Sequence, residues 1–223
     1  MKISILLPYK ENFSPIYPGA VSLFVYETSR ISKYRKNIIV YGNTQYKNTF
    51  NIKYRNIDLE KNRFQSISKK YIENFVKIEK KYNSDLIEVH NRPNYLSYLY
   101  NFMKYKKYIL YFHNDPLTMV GSKTIKERKF LLKICYRILF NSNWSKKRFL
   151  EGLENKFINS DKLQVVFQSA DKSIIDLGKK KKMITFVGKL NRSKGYDIFG
   201  KAVVKILDKH KNWTANVIGD EQR

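Results

Sequence analysis

The segment SDLIEVHNRPNYLSYLYNFMKYKKYILYFHND, residues 84–115, decides the fold class of this chain. It contains two short apolar runs, at 84–91 and 108–114, and between them Pro93 stands where it can open a helix from its first turn. Short continuous apolar runs are typical of parallel strands that are buried on both faces. The segment therefore predicts a strand, a helix and a second strand that runs parallel to the first.

The same alternation of apolar runs and helical stretches continues in both directions along the 223 residues. Further strands are predicted at residues 2–9, 37–42, 49–59, 136–142, 162–168, 183–188 and 213–220. This rhythm predicts an α/β fold with a Rossmann-like, doubly wound and mostly parallel sheet. Right-handed connections would then bring the carboxyl ends of the strands to one edge, where ligands bind in such folds.

The alternation breaks over residues 169–182, which are polar and end in four consecutive lysines at 179–182. We interpret this stretch as a linker, and a patch that contacts lipid or phosphate is the alternative. It divides an N-terminal Rossmann-like domain at 1–168 from the first βαβ unit of a second domain at 183–223. A single βαβ unit is too small to bury a core of its own, so the second domain is expected to be incomplete.

The composition limits the classes of protein to which the chain can belong. It carries 44 Lys and Arg against 19 Asp and Glu, a formal net charge of +25, which attracts nucleic acid, anionic lipid or phosphorylated substrates. A biased composition with a solvated basic face is the alternative. The chain is 43% hydrophobic, which supports a buried core, and it has no apolar run of transmembrane length. The single cysteine, Cys135, indicates a core residue and a reducing cytoplasm.

Two neighbouring predicted strands end in the same pair of residues, histidine followed by asparagine. The polar residues at these two ends are His90, Asn91 and Arg92, and His113, Asn114 and Asp115. Because parallel strands end at the same edge of a sheet, the two histidines are expected to converge there. Neither an H-E-x-x-H metal motif nor a G-x-S-x-G hydrolase motif accompanies them, so a metal site is not expected.

Two further strand ends carry features that suit an anion. Gly19 precedes a predicted helix, whose free N–H groups and dipole favour negative charge. In the stretch ITFVGKLNRSKGYDIF, residues 184–199, Gly188 allows close approach to the backbone and Lys189 and Lys194 supply two cations. Two cations beside a helix N-terminus suit a diphosphate, because they also stabilise the charge that develops when it departs. A lysine-rich loop without function is the alternative.

The order of these strand ends resembles the family 4 glycosyltransferases of GT-B fold. The resemblance rests on PYKENFSPIYPGAV before the first helix, on YFHND at 111–115, on ILFNSNWSKKRFLEG and on FVGKLNRSKG, and it covers essentially the whole chain. It implies that Lys194 and Lys189 bind the donor diphosphate, together with Gly19 and Gly188, and that His113 contacts the transferred sugar. It leaves His90, Asn91, Arg92, Asn114 and Asp115 as candidates on the acceptor side.

Three positions depart from the family pattern. Lys189 stands where the family has arginine. The lysine keeps the positive charge but cannot form the bidentate hydrogen bonds of a guanidinium group. Pro18 replaces the first glycine of the loop pair, and VVFQSAD at 165–171 replaces V-x-P-N-G-x-D. The family's E-x7-E element is absent, so the chain is expected to be truncated and to have little or no activity alone.

The resemblance implies an enzyme that transfers a sugar from a nucleotide-diphosphate sugar to a glycan or a lipid-linked acceptor in cell-surface polysaccharide or lipopolysaccharide synthesis. It further implies a retaining, metal-independent hexosyltransferase that needs no cofactor beyond its donor substrate. The predicted location is the cytoplasm, with an anionic membrane surface on its inner face as a candidate partner, and no specific nucleic acid is expected. The alternatives are a basic nucleic-acid-binding module and a non-functional gene fragment.

Overall fold

A computed structural model describes residues 1–59, 66–169, 178 and 180–220 of the chain. The chain divides into two compact units, residues 1–169 and residues 170–223. Most of the stretch that we interpret as a linker, 169–182, lies outside the described residues. The domain boundaries inferred from the sequence therefore remain a prediction.

Among the residues that the structure describes, the first unit has a sheet of seven parallel strands. These are β1 (Ile3–Leu6), β2 (Ile38–Gly42), β3 (Tyr54–Asn56), β4 (Leu86–His90), β5 (Lys107–Phe112), β6 (Cys135–Phe140) and β7 (Leu163–Val165). Their order is β3-β2-β1-β4-β5-β6-β7, and each neighbouring pair is parallel. The chain thus proceeds outward from β1 in one direction and from β4 in the other. This reversal between β1 and β4 is the topological switch point at which doubly wound folds bind ligands.

Within the described part of the chain, five helices connect the strands of this sheet. They are α1 (Ala20–Ile31), α2 (Ile67–Tyr82), α3 (Pro93–Phe102), α4 (Ile125–Ile134) and α5 (Asn143–Leu150). Side chains at their N-termini explain where three of them begin: Ser66 and Ser142 cap α2 and α5, and Thr124 forms a capping box at α4. Pro93 is the first residue of α3, as its fixed φ angle favours.

Two apolar clusters form the core of the first unit. On β1, Ile3 and Ile5 belong to one cluster and Leu6 belongs to the other. Neighbouring residues of a strand face opposite sides of a sheet, so the two clusters lie on its two faces. This arrangement explains why the predicted strands appear as continuous apolar runs, and the predicted doubly wound α/β fold is confirmed.

The second unit contains two parallel strands, β8 (Met183–Val187) and β9 (Thr214–Ile218), connected by α6 (Tyr196–Lys209). The helix packs on β8 through aromatic contacts, with the ring centroids of Phe186 and Phe199 5.2 Å apart. The predicted βαβ unit is therefore present. Among the residues that the structure describes, none of the helices has both the length and the apolar character needed to cross a membrane.

Candidate functional site

The two histidines predicted at neighbouring strand ends lie in contact. His90 is the last residue of β4, and His113 directly follows β5. Parallel pairing places His90 beside Tyr111, and Nδ1 of His90 is 2.9 Å from Nε2 of His113. The convergence expected from the sequence is therefore observed at the carboxyl edge of the sheet, beside the switch point.

Two further side chains extend this contact at both ends. Oε1 of Glu88 is 2.7 Å from Nε2 of His90, and Nε2 of Gln168 is 2.8 Å from Nδ1 of His113. We call these four side chains, Glu88, His90, His113 and Gln168, the imidazole chain. Glu88 was not among the residues predicted from the sequence, although its spacing of two from His90 places both on one face of β4. No local pattern predicts the contact of Gln168, because it depends on the path that the backbone takes after β7.

Aromatic rings pack against His113, whose side chain is half-buried. Phe24 of α1 meets its ring edge to face at 5.1 Å between centroids, and the ring of Tyr111 lies at 4.4 Å. Burial, with a smaller contribution from the neighbouring His90, lowers the pKa of His113 to about 3. Since desolvation disfavours the charged form, the imidazole is neutral around physiological pH. Burial, together with the nearby charge of Glu88, raises the pKa of Tyr111 to about 12, so this ring is also uncharged.

We expect His113 to contribute to the pH dependence of stability. Its pKa is about 3 in the folded chain and 6.5 for an ordinary histidine, so the unfolded chain binds more protons between these values. Folding is therefore disfavoured as the pH falls, and the contribution is complete above pH 6.5 and is lost towards pH 3. His113→Gln should lose less unfolding free energy than the parent chain between about pH 7 and about pH 5 in urea titrations.

His210 provides the matched control, because it is the exposed histidine of the second unit. His210→Gln should leave the pH dependence of the unfolding free energy unchanged. Equal losses in the parent chain and in His113→Gln would contradict the prediction. The titratable groups in contact with the His113 ring are His90 and Tyr111, so the comparison is made with both of them present.

The backbone of His113 is held from both neighbouring strand ends. Its N–H donates to Oδ1 of Asn91 at 3.1 Å, and its carbonyl oxygen accepts from Nδ2 of Asn141 at 2.8 Å. The hydroxyl of Ser145 donates in turn to Oδ1 of Asn141 at 2.9 Å. Asn91 itself has a φ angle of 54°, a left-handed conformation that asparagine tolerates better than most residues. The asparagine after the first histidine therefore serves to fix the second histidine.

The other polar residues predicted at these strand ends do not join the imidazole chain. Asp115 accepts from the backbone N–H of Leu117 at 3.0 Å and forms an ion pair with Arg148 at 3.1 Å. Arg92 donates to the carbonyl oxygen of Asn91 at 2.8 Å, and Asn114 is exposed. In the described structure Asp115 thus links the turn after β5 to α5, while Arg92 and Asn114 border the same edge of the sheet.

The N-terminus of α1, where Gly19 was expected to favour an anion, is occupied by a carboxylate of the protein. Oε1 of Glu11 accepts from the N–H of Ser22 at 3.0 Å. A Cβ atom on Gly19 would lie 1.9 Å from the same Oε1 atom, so a larger residue at this position would require the carboxylate of Glu11 to move. Glu11 was not predicted from the sequence. The sequence indicates its role only weakly, as an acidic residue in the loop before a helix, where negative charge is favourable.

In the second unit, Lys189 and Lys194 lie on one loop after β8, and both are exposed. Asn191 shapes this loop by accepting from the backbone N–H of Lys194 at 3.3 Å. Gly195 has a φ angle of 73° and begins α6 from a left-handed conformation. A Cβ atom on Gly188 would lie 3.7 Å from the ring of Phe186 and 4.0 Å from Cβ of Lys194, both ordinary van der Waals distances. The loop therefore carries two exposed lysines, while the N–H groups of Gly188 and Lys194 are bonded within the second unit.

None of the known family models matches the chain, and no curated protein sequence matches it. Among solved structures, HepE from Anabaena in complex with UDP and glucose has a TM-score of 0.68 and 17% identity, over 100% of this chain and 62% of that chain. A glycosyltransferase from Rickettsia africae has a TM-score of 0.65 and 18% identity, over 98% and 60%. The lipopolysaccharide outer core galactosyltransferase WaaB has a TM-score of 0.60 and 15% identity, over 100% and 62%.

These similarities show a shared fold. The chain has the Rossmann-like α/β architecture of GT-B glycosyltransferases, as the resemblance in the sequence predicted. It spans between 60% and 62% of the length of these structures. Membership of family 4 stays a prediction.

Proposed function

We propose that this chain is part of a glycosyltransferase that moves a sugar from a nucleotide-diphosphate sugar to an acceptor. The observation that carries the proposal is the position of the His90–His113 pair, which lies at the carboxyl edge of the sheet beside the switch point. Ligands bind at this place in doubly wound folds. The same fold occurs in HepE, whose structure contains UDP and glucose.

The proposed roles follow from the chemistry of the residues. His113 is neutral and held at its backbone from two sides, which suits a group that positions an uncharged sugar. Lys189 and Lys194 would neutralise the donor diphosphate and stabilise the charge that develops on it as the sugar departs. Gly188 would allow the diphosphate to approach the backbone.

We further propose a retaining, metal-independent reaction of the family 4 type, with a glycan or lipid-linked acceptor of cell-surface polysaccharide or lipopolysaccharide synthesis. The similarity in fold to a lipopolysaccharide galactosyltransferase supports this acceptor class. The net charge of +25 supports contact with an anionic membrane surface on the cytoplasmic side. Little or no turnover by the 223-residue chain alone remains part of the proposal.

Binding of UDP to the chain tests the proposal directly. We expect UDP to bind measurably in isothermal titration at low salt, and the double substitution Lys189→Ala and Lys194→Ala to weaken it at least about tenfold, since each removed cation loses a charge-assisted contact. Lys201→Ala with Lys205→Ala is the matched control, because it removes the same charge from exposed positions of α6 in the same unit. This control should leave the affinity for UDP nearly unchanged.

Equal weakening by the two pairs would mean that UDP responds only to overall charge, and it would refute the assigned roles of Lys189 and Lys194. Binding of single-stranded DNA more tightly than UDP, with strong salt dependence, would favour a nucleic-acid-binding module instead. A chain that binds neither ligand would support the alternative of a gene fragment without function.

A further inference from the structure

The hydrogen bonds of the imidazole chain can be assigned a direction from the chemistry of its two ends. An ionised carboxylate only accepts hydrogen bonds, so Nε2 of His90 must carry the proton that points to Glu88. A neutral imidazole has one donor and one acceptor nitrogen, so Nδ1 of His90 is then an acceptor. Nε2 of His113 must therefore donate across the 2.9 Å contact between the rings.

The same reasoning determines the last member of the chain. With its proton on Nε2, a neutral His113 has an unprotonated Nδ1 atom. The group facing this atom is the amide nitrogen of Gln168, a donor, at 2.8 Å. The two ends of the imidazole chain are thus mutually consistent, since the carboxylate of Glu88 only accepts and the amide nitrogen of Gln168 only donates. In the reverse direction Nδ1 of His90 would donate to His113, and a neutral His90 would then have an unprotonated Nε2 atom facing the carboxylate of Glu88. Two acceptors would face each other there unless His90 carried a positive charge.

From this geometry we propose that Glu88 is a positioning residue that makes Nδ1 of His113 an obligatory hydrogen-bond acceptor, and that Gln168 occupies the place of a ligand hydroxyl. The inference rests on the proposed function for the identity of that ligand, a donor sugar. It adds to that function a preference for hydrogen-bond donors at Nδ1 of His113. Nδ1 of His113 accepts a hydroxyl of the sugar and rejects an anionic phosphate oxygen, which has no proton to donate.

The positions of Gln168 and Glu88 suit these two different tasks. Gln168 is exposed and follows two residues, Val166 and Phe167, whose side chains are 41% and 65% exposed, so its amide can leave without opening the core. Glu88 lies within β4, and His90 beside it is fully buried. Glu88 therefore keeps the direction of the hydrogen bonds in the imidazole chain when a ligand hydroxyl replaces the amide of Gln168.

Nitrogen-detected NMR of the histidine rings tests the direction without any ligand. The sequence has only three histidines, and the exposed His210 provides an internal reference. At neutral pH we expect both His90 and His113 to show a protonated Nε2 and an unprotonated Nδ1. In Glu88→Gln the amide can donate as well as accept, so the Nδ1-protonated tautomer of His113 should become populated. Glu154→Gln, at an exposed carboxylate, should leave both rings unchanged.

A proton on Nδ1 of His113 in the parent chain, or unchanged tautomers in Glu88→Gln, would overturn the assignment to Glu88. Because Glu88 is partly exposed and glutamine has the same shape, this variant should fold. Gln168→Ala provides an independent measurement. In this variant His90 and His113 should keep the tautomers of the parent chain, and protonation of Nδ1 of His113 would also count against the proposal.

Titrations with UDP-glucose and with UDP test the role of Gln168. Removing the competing amide in Gln168→Ala should increase the affinity for UDP-glucose relative to UDP by about threefold, in line with one neutral hydrogen bond. Gln164→Ala, at a nearby exposed glutamine of β7, should leave this ratio unchanged. An unchanged or lowered ratio in Gln168→Ala would refute the place assigned to the ligand hydroxyl. Failure of UDP itself to bind would refute the proposed function, while the NMR result on Glu88 would stand.

Discussion

Phe140→Ala should lower the free energy of unfolding of the first unit by about 3–5 kcal/mol. The ring is fully buried at the end of β6, and its centroid lies 5.6 Å from that of Phe112 and 5.4 Å from that of Phe149. Truncation would leave a cavity that the rigid sheet and α5 cannot easily close. Urea denaturation followed by circular dichroism measures the change.

Phe102→Ala is the matched control, since this phenylalanine ends α3 with 47% of its surface exposed. It should cost less than about 1 kcal/mol, because little apolar area is lost from the core. Similar costs for the two variants would contradict the packing described here. The result also concerns the candidate site, because Phe112 and Phe140 directly precede His113 and Asn141. The hydrogen bond from Nδ2 of Asn141 to the carbonyl oxygen of His113 depends on the alignment of β5 and β6.

Glu79→Ala should lower the free energy of unfolding by about 3 kcal/mol, because it removes a buried carboxylate to which several groups donate. The carboxylate is fully buried and accepts from the N–H of Ser84 at 2.8 Å, from the hydroxyl of Ser4 at 2.6 Å and from the hydroxyl of Ser84. Nζ of Lys106 lies 4.0 Å away. Without Glu79 these donors of β1 and of the segment before β4 lose their shared acceptor.

Two substitutions separate this effect from the general loss of a charge. Glu79→Gln keeps an acceptor for Ser84 and places an amide donor at Ser4, whose hydroxyl can turn to accept. Its cost in urea denaturation should therefore fall clearly below that of Glu79→Ala. Glu27→Ala removes a carboxylate that is 45% exposed and pairs with Arg30 on the surface of α1, and it should cost less than about 1 kcal/mol. A cost for Glu79→Ala as small as that for Glu27→Ala would show that the buried network contributes little.

The predictions from the sequence succeeded where a local pattern carries the physical information. Continuous apolar runs predicted the strands of a doubly wound sheet, and the paired His-Asn ends predicted that His90 and His113 would meet. Both predictions follow from the geometry of parallel strands, whose carboxyl ends share an edge.

The predictions were incomplete where the role of a residue depends on a distant partner. Glu11 and Glu79 are carboxylates in polar surroundings in the sequence, yet one fills the N-terminus of α1 and the other is buried between elements up to 75 residues apart. Gln168 lies 55 residues from the histidine that it contacts. No local pattern encodes such contacts, because they depend on how the loops return to the sheet.

The sequence by itself determined the fold class, the edge of the sheet at which the site lies and the histidines that meet there, since periodicity and strand direction are local properties of the chain. Only the tertiary structure decided the ionisation of His113, the direction of the hydrogen bonds through His90 and the occupation of the α1 N-terminus. Burial and hydrogen-bond partners determine these properties, and both exist only after distant segments have packed together.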